Sequence, residues 1–161
     1  GRSYGSGLND FQINRTAAAA SIKASETGAS WQLRLGGAAG TIMLSRAELL
    51  AMAQHSADLP IACVEGWATT QRWSGVQLKD LARLAGVLRP SSAEIRSLEK
   101  HGAFGQARLD SSQILDSDSM LALKVNGADL SLDHGYPARI IVPALPGVHN
   151  TKWVESIGFE A

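Results

Sequence analysis

Residues 121–143 read LALKVNGADLSLDHGYPARIIVP, and this stretch decides which fold class the chain belongs to. Runs of apolar residues at Met120–Val125 and Arg139–Val142 each predict a short strand. Asn126-Gly127, directly after the first run, is a pair typical of a tight turn between strands. Two strands and a tight turn within so short a stretch indicate a fold in which sheet dominates.

More strands are predicted on either side of this stretch. Trp31, Leu33 and Leu35 alternate with polar residues, which indicates a strand that Gly36 and Gly37 then break. Further strands are predicted at Ile61–Val64, Ile95–Leu98 and Lys152–Phe159.

Two helices have recognisable terminal signals. Ser45 and Glu48 form a capping-box pattern that opens a helix running to about Gln54. Apolar residues recur at helical spacing from Leu78 to Ala85, and Gly86 is placed to end that helix. Strands outnumber helices and the two do not alternate regularly, so we predict an α+β fold of mixed sheets with short helices.

The composition excludes one class of partner. A chain of 161 residues fits one domain with a real hydrophobic core. Lys plus Arg and Asp plus Glu each number 15, so the formal net charge is zero. This balance gives no electrostatic case for nucleic acid or for an anionic membrane. We therefore expect no nucleic-acid partner.

The first ten residues, GRSYGSGLND, are rich in Gly and Ser and do not begin with Met. We expect residues 1–10 to form a flexible tail or a remnant of cleavage, trimming or tagging, and residues 11–161 to form the domain. No apolar run approaches the length that spans a bilayer, and no signal peptide is visible. Such a start leaves room for a targeting or membrane segment in a longer chain.

Cys63 is the single cysteine, which rules out an intrachain disulfide. It follows the apolar run 59–62 and precedes Glu65. It fits three roles: a small buried hydrophobe, a nucleophile activated by His134 or His149, or a single thiolate ligand to a metal whose other ligands come from a cofactor. A protein-only zinc or blue-copper site is rejected, because no suitable set of Cys, His and Met accompanies Cys63.

Residues 133–153, DHGYPARIIVPALPGVHNTKW, are suited to holding an anion. Arg139 offers a planar fork for a phosphate, Lys152 a mobile point charge, and His134 a titratable ring. Backbone amides of the glycine-containing loops add donors. Each side chain also has a plainer explanation, as a surface arginine, a solvated lysine and a histidine that fills a turn. Asn14 and Arg15 likewise fit a plain helix start that Asn14 caps.

Several segments, taken in order, resemble the sulfite oxidase superfamily of molybdopterin-binding oxidoreductases. They are INRTAAAA at 13–20, CVEGW at 63–67, W-x-G-V-x-L-x-D-L at 73–81, SLEKHGAFG at 97–105, LALKVNGADLSLDHGYPARIIVP at 121–143 and KWVESI at 152–157. The specific feature is the ordered set C-V-E-x-W, N-G, H-G-x-P-x-R and K-W. The resemblance implies the molybdopterin-binding fold of this superfamily in a single domain.

The resemblance also implies a site built around Mo-molybdopterin. Cys63 is implied as the molybdenum ligand and Glu65 as a second catalytic residue, with Glu65 and Trp73 near the pocket mouth. The residues implied to bind the cofactor are Asn14, Arg15, Ser97, His134, Arg139, Asn150, Thr151 and Lys152. The small loop at the phosphate end favours a pterin without an added nucleotide.

The implied reaction is two-electron oxygen-atom transfer to or from a small-molecule oxide or oxyanion. Glu65 places a carboxylate just after Cys63, and the first cation beyond it is Arg72. Because a carboxylate repels sulfite, we favour reduction of a neutral S- or N-oxide. The stretch C-V-E-x-W is similar to bacterial periplasmic methionine sulfoxide reductase catalytic subunits. The alternatives are sulfite-oxidase-type oxidation, a cofactor-binding module without catalysis, and a Cys–His thiol hydrolase.

Electron transfer and location follow from the same resemblance. One cysteine cannot form the haem motif C-x-x-C-H, so we expect a separate or membrane-embedded electron-transfer partner. The resemblance to bacterial enzymes favours an extracytoplasmic location, in the periplasm or at the cell surface, either free or tethered to the membrane.

Overall fold

The computed structural model describes residues 8–9, 11, 13, 15–62, 68–100, 105–143 and 150–161. Within these ranges the chain forms two five-stranded sheets and three short α-helices. This arrangement confirms the predicted α+β fold of mixed sheets and short helices.

The first sheet has the strand order β2-β1-β10-β5-β6. Its strands are β1 (Gln32–Gly37), β2 (Gly40–Ser45), β5 (Ser92–Ser97), β6 (Gln106–Asp110) and β10 (Val154–Glu160). Strands β1 and β10 pair in parallel, and the other pairs are antiparallel.

The second sheet is antiparallel, with the order β3-β4-β7-β8, and β9 pairs with β7. Its strands are β3 (His55–Ala62), β4 (Ala68–Gln77), β7 (Met120–Val125), β8 (Ala128–Asp129) and β9 (Arg139–Ile141). Strand β7 turns into β8 through Asn126-Gly127, as the sequence predicts.

The helices are α1 (Arg46–Ala51), α2 (Leu78–Leu84) and α3 (Ser111–Leu115). The predicted capping box is present at α1, where the Ser45 side chain accepts a hydrogen bond from the Glu48 amide. The helix ends at Ala51 and not at Gln54, because the backbone of Met52 is already extended, with a ψ of 165°. The Gln54 side chain donates back to the carbonyl of Leu49 at 2.9 Å. A short 3₁₀ turn, Leu132–His134, precedes β9.

Two groups of buried apolar residues cover the two faces of the second sheet. The main core is filled from both sheets and from α2, and it includes Leu33, Leu35, Val76, Leu78, Leu81, Ile95, Leu121, Leu123, Ile140 and Ile157. The smaller apolar cluster consists of Phe11, Trp73, Met120, Ala122, Val125, Leu130 and Ile141. Leu121 and Leu123 of β7 lie in the main core, whereas Met120 and Ala122 lie in the smaller cluster, as the two-residue period of a strand requires.

Several strand boundaries differ from those expected. Strand β1 continues through Gly36 and Gly37, since both glycines pair with β2. Strand β3 begins at His55, six residues before the predicted start, and is described only to Ala62. Strand β10 begins at Val154, so Lys152 lies in the loop before it. No helix in the described ranges has the length and apolarity needed to cross a membrane.

Candidate cofactor site

Arg139 is a buried cation on the face of the second sheet that carries the smaller apolar cluster. It opens β9 opposite Ala122, and its side chain is 3% exposed. The guanidinium carbon lies 5.0 Å from the ring centroid of Trp73. Burial lowers the pKa of Arg139 from its ordinary value to about 9. A cation buried this completely needs hydrogen-bond acceptors around it.

The three nitrogens of the Arg139 guanidinium differ in their contacts with the described residues. Nη1 donates to the carbonyl of His134 and Nη2 to the carbonyl of Asn150, each at 3.2 Å. Nε is buried and has no hydrogen-bond partner among the described residues. A charged, buried donor without an acceptor is costly, so this atom suits an anionic oxygen supplied by a ligand.

Lys152 is the second cation of the site. Its ammonium donates to the backbone carbonyls of Arg15 and Asp133, the latter at 2.7 Å, and lies 4.8 Å from the centroid of the Trp153 ring. Burial lowers the pKa of Lys152 to about 7, and the charge of Arg139 lowers it as well. Asp133 and Glu99 act in the opposite direction. The amine can therefore gain or lose a proton near neutral pH.

Gly135 allows these two cations to come together. It has a φ of 116°, in the left-handed region that favours glycine. A Cβ at this position would lie 2.9 Å from the Cβ of Arg139 and 3.2 Å from the Cβ of Lys152. The glycine of the H-G-x-P-x-R pattern is thus required by close packing as well as by backbone conformation.

Trp153, next to Lys152, also has left-handed backbone geometry, with a φ of 53°. A bulky residue rarely adopts this conformation unless its surroundings hold it. Its indole Nε1 donates to the carbonyl of Leu132, and its own carbonyl accepts from the Leu98 amide, both at 2.7 Å. This strained position fixes the direction in which Lys152 enters the site.

The remaining predicted residues of this half are also buried, and each takes part in a hydrogen bond. The ring of His134 stacks on Phe11, with 3.8 Å between ring centroids, and its Nδ1 lies 2.9 Å from Ser131 Oγ. The side-chain oxygen of Asn150 accepts from the Val142 amide at 2.6 Å. The carbonyl of Thr151 accepts from the Ile140 amide at 2.8 Å.

The amino-terminal segment and the end of β5 complete the site. The Nε of Arg15 lies 2.7 Å from the buried carboxylate of Glu99. The hydroxyl of Ser97 donates to the Lys152 carbonyl at 2.8 Å and accepts from the Glu99 amide at 2.9 Å. Ser97 therefore supports the backbone of Lys152.

Most of the predicted cofactor residues thus meet at one place in the fold. These are Arg15, Ser97, His134, Arg139, Asn150, Thr151 and Lys152. Asn14, Cys63 and Glu65 lie outside the described residues, so their roles stay predictions. In sequence, 63–67 is the connection between β3 and β4, whose last described pair is Ala62 with Ala68. No cluster of three or more metal-binding side chains occurs within the described ranges.

Trp73 differs from the expectation that it lies near the pocket mouth. It is fully buried, packs edge-on against Phe11 at 5.9 Å and donates from Nε1 to the carbonyl of Leu59. Strand β7 pairs with β4, which carries Trp73, and with β9, which carries Arg139. Trp73 therefore packs against the buried side of Arg139.

Sequence reasoning missed the two carboxylates of the site. Glu99 was part of a quoted motif and is 3% exposed. Asp133 stands immediately before His134, and its Oδ1 accepts from the amide of Ala17 at 2.8 Å. No sequence pattern marks Glu99 as a site residue, whereas Asp133 could have been found from its position directly before His134.

The fold and the site define a two-sheet domain with a buried cationic site that fits the phosphate end of a cofactor. The sequence profile described as "Oxidoreductase molybdopterin binding domain" matches residues 19–161, and the chain belongs to this family. The cofactor of the family is Mo-molybdopterin, and the residues present fit it through the unpaired Nε of Arg139 and the adjacent ammonium of Lys152.

Individual relatives agree with this assignment. The "Uncharacterized oxidoreductase YuiH" of Bacillus subtilis (strain 168) is 31% identical over 131 residues, which cover 80% of this chain and 65% of that protein. A sulfite oxidase of Arabidopsis thaliana is 30% identical over 99 residues, which cover 53% of this chain and 25% of that protein. This chain therefore spans less than two thirds of either relative.

A solved structure shares the fold. The crystal structure of the sulfane dehydrogenase SoxCD from Paracoccus pantotrophus superimposes with a TM-score of 0.72 at 23% sequence identity, over 82% of this chain and 38% of that one. The predicted sulfite oxidase-like fold is confirmed.

Proposed function

We propose that this domain is the cofactor-binding part of a molybdenum-pterin oxidoreductase that transfers an oxygen atom and two electrons, in the direction that reduces a small S- or N-oxide. The observation that carries the proposal is the buried Nε of Arg139, which has no acceptor among the described residues. When bound, Mo-molybdopterin supplies the metal centre at which oxygen-atom and electron exchange takes place.

The charges of the site support an anionic cofactor end. Arg15, Arg139 and Lys152 are the cations that interact here, and Asp133 and Glu99 are the carboxylates. The cations exceed the carboxylates, so a phosphate lowers the electrostatic cost of the cluster. Arg139 Nε and the Lys152 ammonium are the donors that would hold it, while Asn150 and Thr151 keep the neighbouring backbone in place.

Cys63 is the residue we assign to the metal. It follows the described end of β3, a strand held along its length by β4. A soft thiolate ligand suits a metal held mainly by sulfur. Bound to the metal, the thiol loses its proton.

The preference for a neutral substrate rests on Glu65, two residues after Cys63. A carboxylate near the metal repels an anion such as sulfite, and it can hold or donate a proton to an oxide oxygen. Sulfite oxidation is the second candidate, because the Arabidopsis relative is a sulfite oxidase. A cofactor-binding module without catalysis is the third.

The test uses protein made in a host that synthesises molybdopterin, with molybdate supplied. Molybdenum per chain is measured first, then sulfoxide consumption with reduced viologen as electron donor, and then dye reduction with sulfite. Sulfoxide turnover without sulfite turnover supports the proposal. Sulfite turnover alone favours sulfite oxidation over oxide reduction. Full molybdenum content without either activity favours the cofactor-binding module without catalysis.

Cys63→Ser is the decisive variant. We expect it to lose turnover completely, because a serine hydroxyl does not replace a soft thiolate ligand. Leu88→Ala, at a side chain 71% exposed on the surface, is the control and keeps full activity. Turnover by Cys63→Ser at the wild-type rate refutes the assignment of Cys63.

We further propose an extracytoplasmic location in a bacterium and an electron-transfer partner on another polypeptide or in the membrane. The single cysteine of these 161 residues cannot form a haem-attachment motif, which supports electron supply from outside this domain. Fractionation of the native host tests the location, and recovery in the cytosol alone contradicts it.

A further inference from the structure

Glu99 is a buried carboxylate at the border of a cationic site. Its side chain is 3% exposed, and Oε1 lies 2.7 Å from the Nε of Arg15. Neither atom makes a hydrogen bond of good geometry within the described part of the chain, so the contact is one of charge. A buried carboxylate without a cation is strongly disfavoured, and Arg15 is the cation in direct contact with it.

Glu99 is also fastened to the loop that carries Lys152. Its amide donates to Ser97 Oγ, and the same hydroxyl donates to the Lys152 carbonyl. One residue away, the Leu98 amide donates to the carbonyl of Trp153 at 2.7 Å. The end of β5 and the loop before β10 are therefore joined into one hydrogen-bonded unit.

Arg15 is held at two points by this unit. Its carbonyl accepts from the Lys152 ammonium, and its guanidinium faces Glu99. Among the described residues, its Nη2 donates to a local acceptor, the carbonyl of Ala19, at 3.2 Å. The Arg15 side chain is 37% exposed, so without Glu99 it is free to extend into solvent.

We propose that Glu99 is a positioning residue for the cofactor: it holds the Arg15 guanidinium beside Lys152, so that the anionic end of the cofactor meets a preformed pair of cations. This inference rests on the proposed function, because it requires the cofactor at this site. The Glu99 carboxylate itself repels the anionic end of the cofactor. Glu99 favours cofactor binding because it fixes the position of the Arg15 guanidinium before the cofactor arrives.

The experiment compares Glu99→Gln, Arg15→Gln, the double variant and Glu99→Asp, all produced in the cofactor-competent host. Molybdenum per chain and the rate of cofactor release are measured on each purified protein. We expect Glu99→Gln and Arg15→Gln each to release cofactor about tenfold faster. The double variant should be no worse than either single one, because both changes break the same contact. Glu99→Asp keeps the charge and should recover part of the loss.

A purely structural role predicts a different pattern. In that case the two single effects add in the double variant, and Glu99→Asp gives no recovery. Additive effects, or release from Glu99→Gln at the wild-type rate, overturn the inference. If Glu99→Gln does not fold, Arg15→Gln against Arg15→Lys decides: equal retention of cofactor in both contradicts it, and loss in the first with recovery in the second supports it.

The two proposals fail in different ways. Wild-type protein without molybdenum from a competent host contradicts the proposed function. Wild-type protein that loads normally, with Glu99→Gln holding cofactor equally well, contradicts only the role of Glu99.

Discussion

The main core and the cation site, which is the part of the candidate cofactor site around Arg139 and Lys152, lie on opposite faces of the second sheet. They are stabilised by different interactions. The main core contains aliphatic side chains such as Leu81 and Leu121, both fully buried, and gains stability from the removal of apolar surface from water. The cation site buries Arg139 and half-buries Lys152 against backbone carbonyls, and desolvation lowers the pKa of both.

Only one of these two regions is complete without a ligand. Apolar burial needs no partner, whereas buried cations gain from an anion bound to the folded state. Changes in the main core should therefore alter folding, and changes in the cation site should alter cofactor binding more than folding.

The largest effect is expected for Leu81→Ala in the main core. The substitution removes fully buried methyl groups of α2 and leaves a cavity, so the free energy of unfolding should fall by about 2–5 kcal/mol. Urea denaturation of the cofactor-free chain measures it. Protein that remains folded should keep its cofactor at low temperature. A fall below about 0.5 kcal/mol would mean that α2 is not part of the core.

Arg139→Met should reduce cofactor binding more than it reduces the stability of the fold. It removes the unpaired Nε donor, and we expect molybdenum content to fall more than about tenfold. The carbonyls of His134 and Asn150 lose their donors, at a cost of about 1–3 kcal/mol, which removal of the buried charge partly offsets. Arg34→Met, on an exposed position of β1, is the matched control. Equal loss of cofactor in both variants would remove Arg139 from the site.

The smallest expected effect is the contribution of Lys152 to the pH dependence of the free energy of unfolding. Because burial lowers the pKa of Lys152 from 10.5 to about 7, the unfolded chain binds more protons than the folded chain between these values. The free energy of unfolding should therefore rise as pH increases through this window, with Arg139 adding a similar trend above its pKa of about 9.

Lys152→Met should flatten this rise, and Lys23→Met at an exposed position should not. Denaturation of the cofactor-free chain at pH 7 and pH 9 gives the comparison. An anion needs the protonated amine, so release of cofactor from the wild type should become faster over the same interval. An unchanged pH slope in Lys152→Met would contradict the assigned burial of this amine.

Much of the fold could be predicted where apolar residues follow a regular period. Strand β7, the Asn126-Gly127 turn and the helix at Leu78–Leu84 are examples, since burial on one or both faces leaves a readable pattern. Strands β2 and β6 were missed because each lies at an edge of the first sheet, where fewer positions are buried.

Strand β4 was missed for a different reason. Its sequence, ATTQRWSGVQ, is mostly polar and contains Gly75 near its carboxyl-terminal end. A Cβ at Gly75 would lie 2.0 Å from the carbonyl oxygen of Leu121, and the pairing with β7 shifts register there. The glycine that looks like a strand breaker is needed for the two backbones to approach.

The location of the cation site could be predicted from its motifs, but the contacts between its side chains could not. H-G-x-P-x-R and K-W marked His134, Arg139 and Lys152, which the structure brings together. The pairing of Glu99 with Arg15 joins residues far apart in sequence, and no local pattern marks such a contact. Trp73 was misplaced because a tryptophan near a motif resembles a ligand contact as much as a core residue.

The parallel pair of β1 and β10 determines when the domain can be assembled. Strand β10 lies between β1 and β5, so the first sheet stays divided into two pieces until residues 154–160 have left the ribosome. The two partners are about 120 residues apart, and contacts of such long range make folding slow. Lys152 lies two residues before β10, and Ser97 ends the neighbouring strand β5, so we expect the cofactor to bind only after nearly the whole domain has been synthesised.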